Sequence, residues 1–331
     1  MNKYLLEFII EKISIHFNTK ITLVDVKQVY GGDINKTFQL TTSAGRYFIK
    51  TNDHAPKDMF EKEFNGLRLL KQCNHIAVPE ALFFGEKDEV RFLVMEFIAK
   101  GNPANDFWKQ FATGLASLHK QTQAKFGLNE NNYIGSLQQE NNYCITWAEF
   151  YNIHRVMPLV KKAFDENKYS KQDTQMAEKL CSKFDLLFPV DAPALLHGDL
   201  WGGNFMVNET GLAVIYDPAV YYGHREMDIA MTLLFGGFDK KLYLHYNEIF
   251  PLEKNWLQRI ELCQLYPLLV HLVLFGGHYY SSVMNSCIIG MNYASVSEET
   301  LFFGEKFMLI AAKISINLHH LVSELYIISS Q

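Results

Sequence analysis

Apolar residues recur at helical spacing at the start of the chain, over residues 3–17. The face that they share carries Leu5, Leu6, Ile9, Ile10, Ile13 and Phe17. From residue 21 to residue 51 the pattern becomes that of β-strands, interrupted at residues 31–35 and at the turn over residues 43–45. The pattern therefore predicts one helix followed by three consecutive antiparallel strands.

Helix and strand signals continue beyond this first sheet. A helix is predicted from Asp58 to Gln72, and two further strands near Ala81–Gly85 and Val90–Phe97. After residue 103 the pattern is mainly helical, with candidate helices at residues 105–121, 146–166, 172–187, 225–235, 239–248 and 255–285. Short apolar strands interrupt these helices near Phe205–Val207 and Ala213–Tyr216.

This order of elements predicts an α+β fold with two lobes. We expect residues 1–98 to form a small N-lobe that covers ATP and consists of a five-stranded antiparallel sheet plus a helix. Residues 99–331 would form a larger, mainly helical C-lobe, with an atypical extension over residues 289–331. A cleft between two such lobes is a natural binding place for a nucleotide.

Composition narrows the class of protein. The 331 residues are 48% hydrophobic, which is enough for a large core. The net charge is −5 without a basic tract, which argues against nucleic acid as a partner. The five cysteines are scattered and form no C-x-x-C pair, which predicts free thiols in a cytoplasmic protein. The longest apolar runs near the C-terminus carry His271 and Lys313 and are too short for a bilayer, so no membrane partner is expected.

The candidate chemistry lies in the stretch from His197 to Asp217. Asp199 precedes Asn204 by five residues and Asp217 by eighteen. A kinase needs a carboxylate for the attacking hydroxyl, and an amide oxygen with a second carboxylate for magnesium on the phosphates. We therefore interpret Asp199 as the base, and Asn204 and Asp217 as Mg²⁺ ligands, because both supply the hard oxygens that this ion prefers.

The N-terminal strands add candidates for ATP binding. Lys50 ends a strand and could reach phosphate oxygens if an acid on the next helix held it. Glu63 is the preferred acid and Glu61 the alternative. Gly31, Gly32 and Asn35 lie between two strands, where a phosphate-covering turn is expected.

Other polar residues near Asp199 and Asp217 are expected to support the loop that carries Asp199. We assign His197 a structural role, and expect Asp228 to accept N–H bonds from the loop. Arg225 and Glu226 could pair with each other or brace the turn after Asp217. For Trp201, core packing and a wall for the acceptor substrate are both open.

With these residues the chain resembles the fructosamine/ketosamine kinases, a branch of the protein-kinase-like fold near aminoglycoside and choline kinases. The Trp after His-Gly-Asp-Leu distinguishes this family from the general kinase pattern. The resemblance covers residues 3 to 288 and rests on Leu196–Asn204, Asp217–Ala219, Gly223–Met231, Leu233–Phe238, Gln139–Asn141 ahead of Trp147–Phe150, and Gln264–Leu269.

The resemblance implies transfer of the ATP γ-phosphate to the 3-hydroxyl of a ketosamine, a sugar joined to an amine by glycation. The acceptor would be a small ketosamine or a glycated protein, and the reaction would serve deglycation repair. The resemblance also implies that Asp199 accepts the proton and that Lys50 with Glu63 holds the phosphates. Adenine would bind the backbone of Glu96, Phe97, Ile98 and Ala99.

Alternatives to this function stay open at this point. An aminoglycoside- or choline-type acceptor would keep the fold, and a dead nucleotide-binding scaffold would lack activity. The presence of Lys50, Glu63, Asp199, Asn204 and Asp217 argues against the scaffold. The sequence is compatible with a monomer or a homodimer. Within the C-terminal extension an amphipathic helix is predicted from Ile310, Ile314, Leu318, Leu321 and Leu325.

Overall fold

The computed structural model describes residues 1–29 and 35–295. Gly31 and Gly32 of the predicted phosphate turn lie outside the described residues. So do residues 296–331, which include the apolar positions of the helix predicted in the C-terminal extension.

The N-terminal part contains the predicted strands and helices, with boundaries within a few residues of those predicted. The elements are α1 (Lys3–His16), β1 (Leu23–Val29), β2 (Lys36–Thr42), β3 (Gly45–Asn52), α2 (Met59–Lys71), β4 (Ala81–Lys87) and β5 (Val90–Glu96). The strands form one antiparallel five-stranded sheet in the order β1-β2-β3-β5-β4. Helix α1 packs through Leu5, Ile9 and Ile13 on a core that includes Leu40, Ile49 and Val94 of the sheet. The α+β class and the five-stranded sheet are thus confirmed.

The remaining described chain is mainly helical, with short two-stranded sheets. Its elements are α3 (Phe107–His119), β6 (Asn132–Ile134), β7 (Leu137–Gln139), α4 (Trp147–Tyr151), α5 (Met157–Asp165), α6 (Lys171–Cys181), α7 (Phe184–Leu187), β8 (Ala194–Leu196), β9 (Phe205–Val207), β10 (Ala213–Ile215), β11 (Tyr221–Gly223), α8 (Glu226–Leu234), α9 (Lys240–Ile249) and α10 (Trp256–Phe275). Residues 280–295 are again helical. None of the helices in the described residues is both long and apolar enough to cross a membrane.

Three predicted helices are interrupted in the structure. A π-helical turn at Asn152–Val156 separates α4 from α5, and residues 182–183 separate α6 from α7. The helix predicted over 255–285 breaks at Gly276, whose φ of 95° lies in the left-handed region. The three-residue strands β6, β7, β8 and β11 were not predicted, whereas β9 and β10, which are equally short, were.

The sheet and the helical part meet around one apolar cluster. It joins Leu67 and Leu70 of α2 and Leu93 of β5 to Leu115 of α3 and Ile215 of β10. Strand β5, the last strand of the sheet in chain order, ends at Glu96, and α3 begins at Phe107. The division of the chain into lobes at residues 98 and 99 stays a prediction.

Candidate active site

Lys50 lies at the centre of the site, on β3 between β2 and β5. It is only 4% exposed, and its Nζ donates to Glu63 Oε1 at 2.7 Å and to Asp217 Oδ1. Burial alone would lower the pKa of Lys50, but the charges of Asp217 and Glu63 outweigh it and raise the pKa above its ordinary value. The lysine is therefore a permanent cation, and it contacts Glu63 rather than Glu61, which is exposed.

Glu63 and Asp217 share this one ammonium group. Burial raises the pKa of Glu63 against the pull of Lys50, and the charge of Asp217 raises it further. Glu63 comes from α2, whereas Asp217 follows β10 with a φ of 57° and keeps its side chain 39% exposed. The excess negative charge on the Asp217 side would favour a cation there.

The 197–204 loop approaches the segment after Asp217 very closely. Gly198 has a φ of 82°, and a Cβ at this position would lie 2.1 Å from the carbonyl oxygen of Ala219. Only glycine fits both constraints. The backbone of Ala219 returns a hydrogen bond from its N–H to the carbonyl of His197 at 2.9 Å. Asp199 and Asp217 are thereby brought to one site.

Asp199 is half-buried, and one partner fixes its carboxylate. Asn204 Nδ2 donates to Asp199 Oδ2 and to the Asp199 backbone oxygen, both at 2.9 Å. Burial, followed by the charge of Asp217, raises the pKa of Asp199 to about 7, while the bond from Asn204 opposes the rise. A carboxylate with this pKa takes up and releases a proton near neutral pH.

His197 holds the loop from inside. Its ring is fully buried, and burial lowers its pKa, which keeps the imidazole neutral. Nε2 lies 3.0 Å from the carbonyl oxygen of Tyr216, to which it donates. Nδ1 then accepts from the backbone N–H of Asp199 at 3.3 Å. The ring thus joins the loop to the strand before Asp217, with no proton left to exchange with a substrate.

Asp228 accepts hydrogen bonds from the backbone of the 197–204 loop. It accepts the backbone N–H groups of His197 at 2.7 Å and of Gly198 at 2.9 Å. Burial would raise its pKa, but bonds and charge from His119 and the loop lower it overall. His119 Nε2 lies 3.2 Å from Asp228, and its Nδ1 lies 2.7 Å from Tyr246 Oη. No sequence pattern predicted His119, because its partners are more than 100 residues away.

Arg225 and Glu226 were predicted either to pair with each other or to brace the turn after Asp217, and the structure shows other partners for both. Arg225 donates to Asp191 Oδ2 at 2.8 Å and to the carbonyls of Phe250 and Pro251. Glu226 forms a buried bidentate pair with Arg259, at 2.6 and 2.7 Å. Arg225 thus joins the start of α8 to the loops at residues 191 and 250–251, and Glu226 joins α8 to α10. They do not pair with each other, and neither is bonded to the turn after Asp217.

Trp201 is not a core residue, because 38% of it is exposed. Its ring meets that of Phe235 edge to face at 6.0 Å, and Phe235 lies 4.9 Å from His271. An aromatic row therefore runs outward from the 197–204 loop. Such a row can form one wall of a site for a polar ring or a cation.

The segment from Glu96 to Ala99 leaves the sheet at the edge of the site. The N–H of Glu96 donates to Glu80 at 2.8 Å. In the described residues the N–H groups of Ile98 and Ala99 find no hydrogen-bond partner, although both residues are half-buried. Asn35 lies further along the sheet, where its Oδ1 accepts from Asn52 Nδ2 at 3.0 Å.

The profile of the fructosamine kinase family matches residues 5–289. The chain belongs to this family. A protein of Enterococcus faecium assigned as a ketoamine kinase is 39% identical over 259 residues, which cover 77% of this chain and 91% of that protein. The protein-ribulosamine 3-kinase of Oryza sativa subsp. indica is 36% identical over 275 residues, 81% of this chain and 78% of the rice protein. The protein is therefore a kinase, a phosphotransferase.

Solved structures agree with this family and its fold. A Thermobifida fusca protein assigned as a fructosamine-3-kinase superposes with a TM-score of 0.77 at 31% identity, covering 86% of this chain and 98% of that one. The choline kinase of Streptococcus pneumoniae superposes with a TM-score of 0.55 at 15% identity, covering 88% and 100%. The second likeness shows the fold alone, which is protein-kinase-like.

Proposed function

We propose that this fructosamine-family kinase transfers the γ-phosphate of ATP to the 3-hydroxyl of ketosamines, including adducts on proteins, and so serves deglycation repair. The observation that carries the proposal is the meeting of Lys50, Glu63 and Asp217 beside the hydrogen-bonded pair of Asp199 and Asn204. The names of the Enterococcus and rice relatives support the acceptor class, and the rice name supports a protein-bound adduct.

Asp199 is the base in this proposal. The acceptor oxygen attacks the γ-phosphorus, the bond from that phosphorus to the β,γ-bridging oxygen breaks, and ADP leaves. The hydroxyl proton passes to the Asp199 carboxylate. Its pKa of about 7 is close to the working pH, which suits a group that must take up this proton and release it again.

Lys50 holds the phosphates, with Glu63 keeping its ammonium group in place. Gly31, Gly32 and Asn35 would cover the phosphates from the N-lobe. Adenine would bind the backbone of residues 96–99, where the N–H groups of Ile98 and Ala99, which bind no other described residue, offer donors.

The residues fit a magnesium ion. Asn204 points its Nδ2 at Asp199, so its Oδ1 is available as a ligand, and the partly exposed Asp217 carboxylate supplies a second oxygen. The described residues contain no group of three or more His, Cys, Asp or Glu that could hold a metal. Mg²⁺ binds through one or two protein oxygens together with phosphate oxygens, and Asn204 and Asp217 would supply the protein oxygens. When bound, the ion would neutralise charge on the phosphates.

A panel of acceptors tests the proposal. Ribulosamine, erythrulosamine and fructosamine adducts, free and on a protein, are offered with ATP and Mg²⁺, with choline and an aminoglycoside as the alternative acceptors. We expect phosphate transfer to at least one ketosamine and its near loss in Asp199→Asn, with ATP affinity largely kept. Transfer only to choline or the aminoglycoside, or full activity of Asp199→Asn, would overturn the acceptor or the base.

The wider setting is part of the same proposal. We place the reaction in the cytoplasm, where ATP is available. The cysteines of the described chain are free and buried, and buried thiols suit a reducing compartment. The protein would act as a monomer or a homodimer, on ketosamines and not on nucleic acid or membranes.

A further inference from the structure

We infer that the hairpin of β6 and β7 with its flanks, residues 130–141, is a brace that sets how far apart the two carboxylates around Lys50 stand. Glu130 is its positioning residue. The inference rests on the proposed function in one respect, that Lys50 holds ATP. No role was predicted for the hairpin, although Gln139–Asn141 is one of the segments that carry the family resemblance.

One side of the hairpin is hydrogen-bonded to helix α2. Glu130 Oε2 accepts from Lys62 Nζ at 2.7 Å, and Glu130 Oε1 accepts from Asn65 Nδ2 at 3.1 Å. Tyr133 Oη donates to Asp58 Oδ1 at 2.7 Å. The three anchors on the helical side are spaced by four and three residues, so they share one face of α2.

Glu63 lies beside this gripped face, one residue after Lys62. Successive helical residues are about 100° apart, so a rotation or slide of α2 at this face moves Glu63 as well. The grip is polar throughout. Between α2 and the hairpin lies a cavity of about 280 Å³ lined by Asp58, Lys62, Asn131, Asn132, Tyr133 and Gln138. The apolar contacts of α2 lie on another face, through Phe60, Leu67 and Leu70, so they do not replace the Glu130 bonds if these are lost.

The other side of the hairpin is hydrogen-bonded to the residues just after Asp217. Asn132 Nδ2 donates to the carbonyl of Val220 at 2.7 Å, and Gln139 Nε2 donates to that of Ala219 at 3.1 Å. Gln139 also donates to Asn132 Oδ1 at 2.7 Å, which fixes both amides in the orientation that these bonds require. All four of these groups are buried. The position of Asp217 is thus tied to the hairpin through two backbone carbonyls.

The base of the hairpin is itself anchored by a buried cation. Arg155 is completely buried on the π-helical turn, and it donates to Asn141 Oδ1 at 2.7 Å and to the carbonyl of Glu140 at 2.6 Å. Its guanidinium lies 4.0 Å from the centre of the Tyr221 ring, which also packs on Gly198 of the 197–204 loop. Bonds from a charged donor are stronger than neutral ones, so this end of the brace is stiff.

The brace therefore connects the two elements that meet at Lys50. Glu63 arrives on α2 and Asp217 on the 217–221 segment, and the hairpin binds both. If the Glu130 bonds are lost, α2 stays packed through Leu67 and Leu70 but can shift on these apolar contacts. Glu63 then moves away from Lys50, whose ammonium group is drawn towards Asp217. ATP phosphates then find the ammonium group displaced, so the first expected consequence is weaker ATP binding.

Glu130→Ala tests this positioning role on the full chain. We expect the Kd for ATP with Mg²⁺, measured by titration calorimetry, to rise by about 3-fold to 10-fold. The KM for ATP should rise with it, and the KM for the acceptor should stay unchanged. The exchanged pair Lys62→Glu with Glu130→Lys should recover ATP affinity that each single variant loses, because it restores the ion pair with reversed polarity.

Asp165→Ala is the matched control, since it breaks an exposed Lys161–Asp165 pair of the same 2.7 Å length far from the site. It should leave ATP affinity unchanged. Wild-type ATP affinity in Glu130→Ala, whether or not its melting temperature falls, would overturn the brace. Failure of the exchanged pair to recover affinity would overturn the Lys62 contact as its route. Calorimetry needs no acceptor, so these outcomes can be read even if the protein phosphorylates none of the ketosamines.

Discussion

The Asp199 carboxyl is expected to make turnover depend on pH around neutrality. An ordinary aspartate has a pKa of 3.8, whereas burial and the charge of Asp217 raise the pKa of Asp199 to about 7. Only the ionised form can take the hydroxyl proton. Lowering the pH through this range therefore removes the base before it disturbs an ordinary carboxylate.

The magnitude follows from the two pKa values. With a pKa of about 7, roughly one molecule in eleven carries an ionised Asp199 at pH 6, and about ten in eleven do at pH 8. The rate should then rise about 10-fold between these pH values. With an ordinary aspartate the ionised fraction would be essentially complete throughout, and the rate would be flat to within about 1%.

Initial rates at low concentrations of ATP and acceptor, with Mg²⁺ in excess, measure this dependence for the free enzyme. A ¹³C titration of the aspartate carboxyls supplies the same midpoint without substrates, with Asp199→Asn assigning the signal. Adding Mg²⁺ alone should lower the midpoint, because a cation at Asp217 opposes the second cause of the rise. A rate that is flat from pH 6 to 8, with a carboxyl midpoint below 5, would refute the reasoning.

Two further predictions concern stability and acceptor binding. Because the folded protein holds the Asp199 proton more tightly than the unfolded chain, this group costs stability as pH rises from about 4 to 7, and the cost is complete above 7. Asp199→Asn should therefore melt about 6 °C higher at pH 8 and show little gain at pH 4, by calorimetry; an equal gain at both pH values would contradict this origin. Trp201→Ala should raise the KM for a ketosamine about 10-fold and leave that for ATP unchanged, since the ring is partly exposed beside Phe235. An unchanged acceptor KM would remove Trp201 from the acceptor wall.

Long periodic segments were predicted well because their signal is local. Helices α1 and α2 and the five strands of the sheet lie within a few residues of their predicted positions. Long helices were predicted without their interruptions, since apolar periodicity continues across the π-helical turn at residues 152–156 and across Gly276. The break at Gly276 depends on a backbone conformation that glycine permits but does not require.

The spacing within the chain named Lys50, Asp199, Asn204 and Asp217, because these residue types at these intervals are what phosphoryl transfer needs. For the acid beside Lys50, Glu63 was the preferred prediction and Glu61 the alternative. Two residues on one helix point about 200° apart, and only the packing of α2 against the sheet decides which of them faces Lys50.

Local patterns in the chain thus predict the family, the order of the elements and the candidate residues for the chemistry. The pKa values of these residues and the contacts that position them depend on the folded structure. The pKa of Asp199 depends on burial and on a charge eighteen residues away, and the hairpin grips α2 across 68 residues of chain through Glu130. Such properties arise from groups that only folding brings together, so no local pattern of residues can encode them.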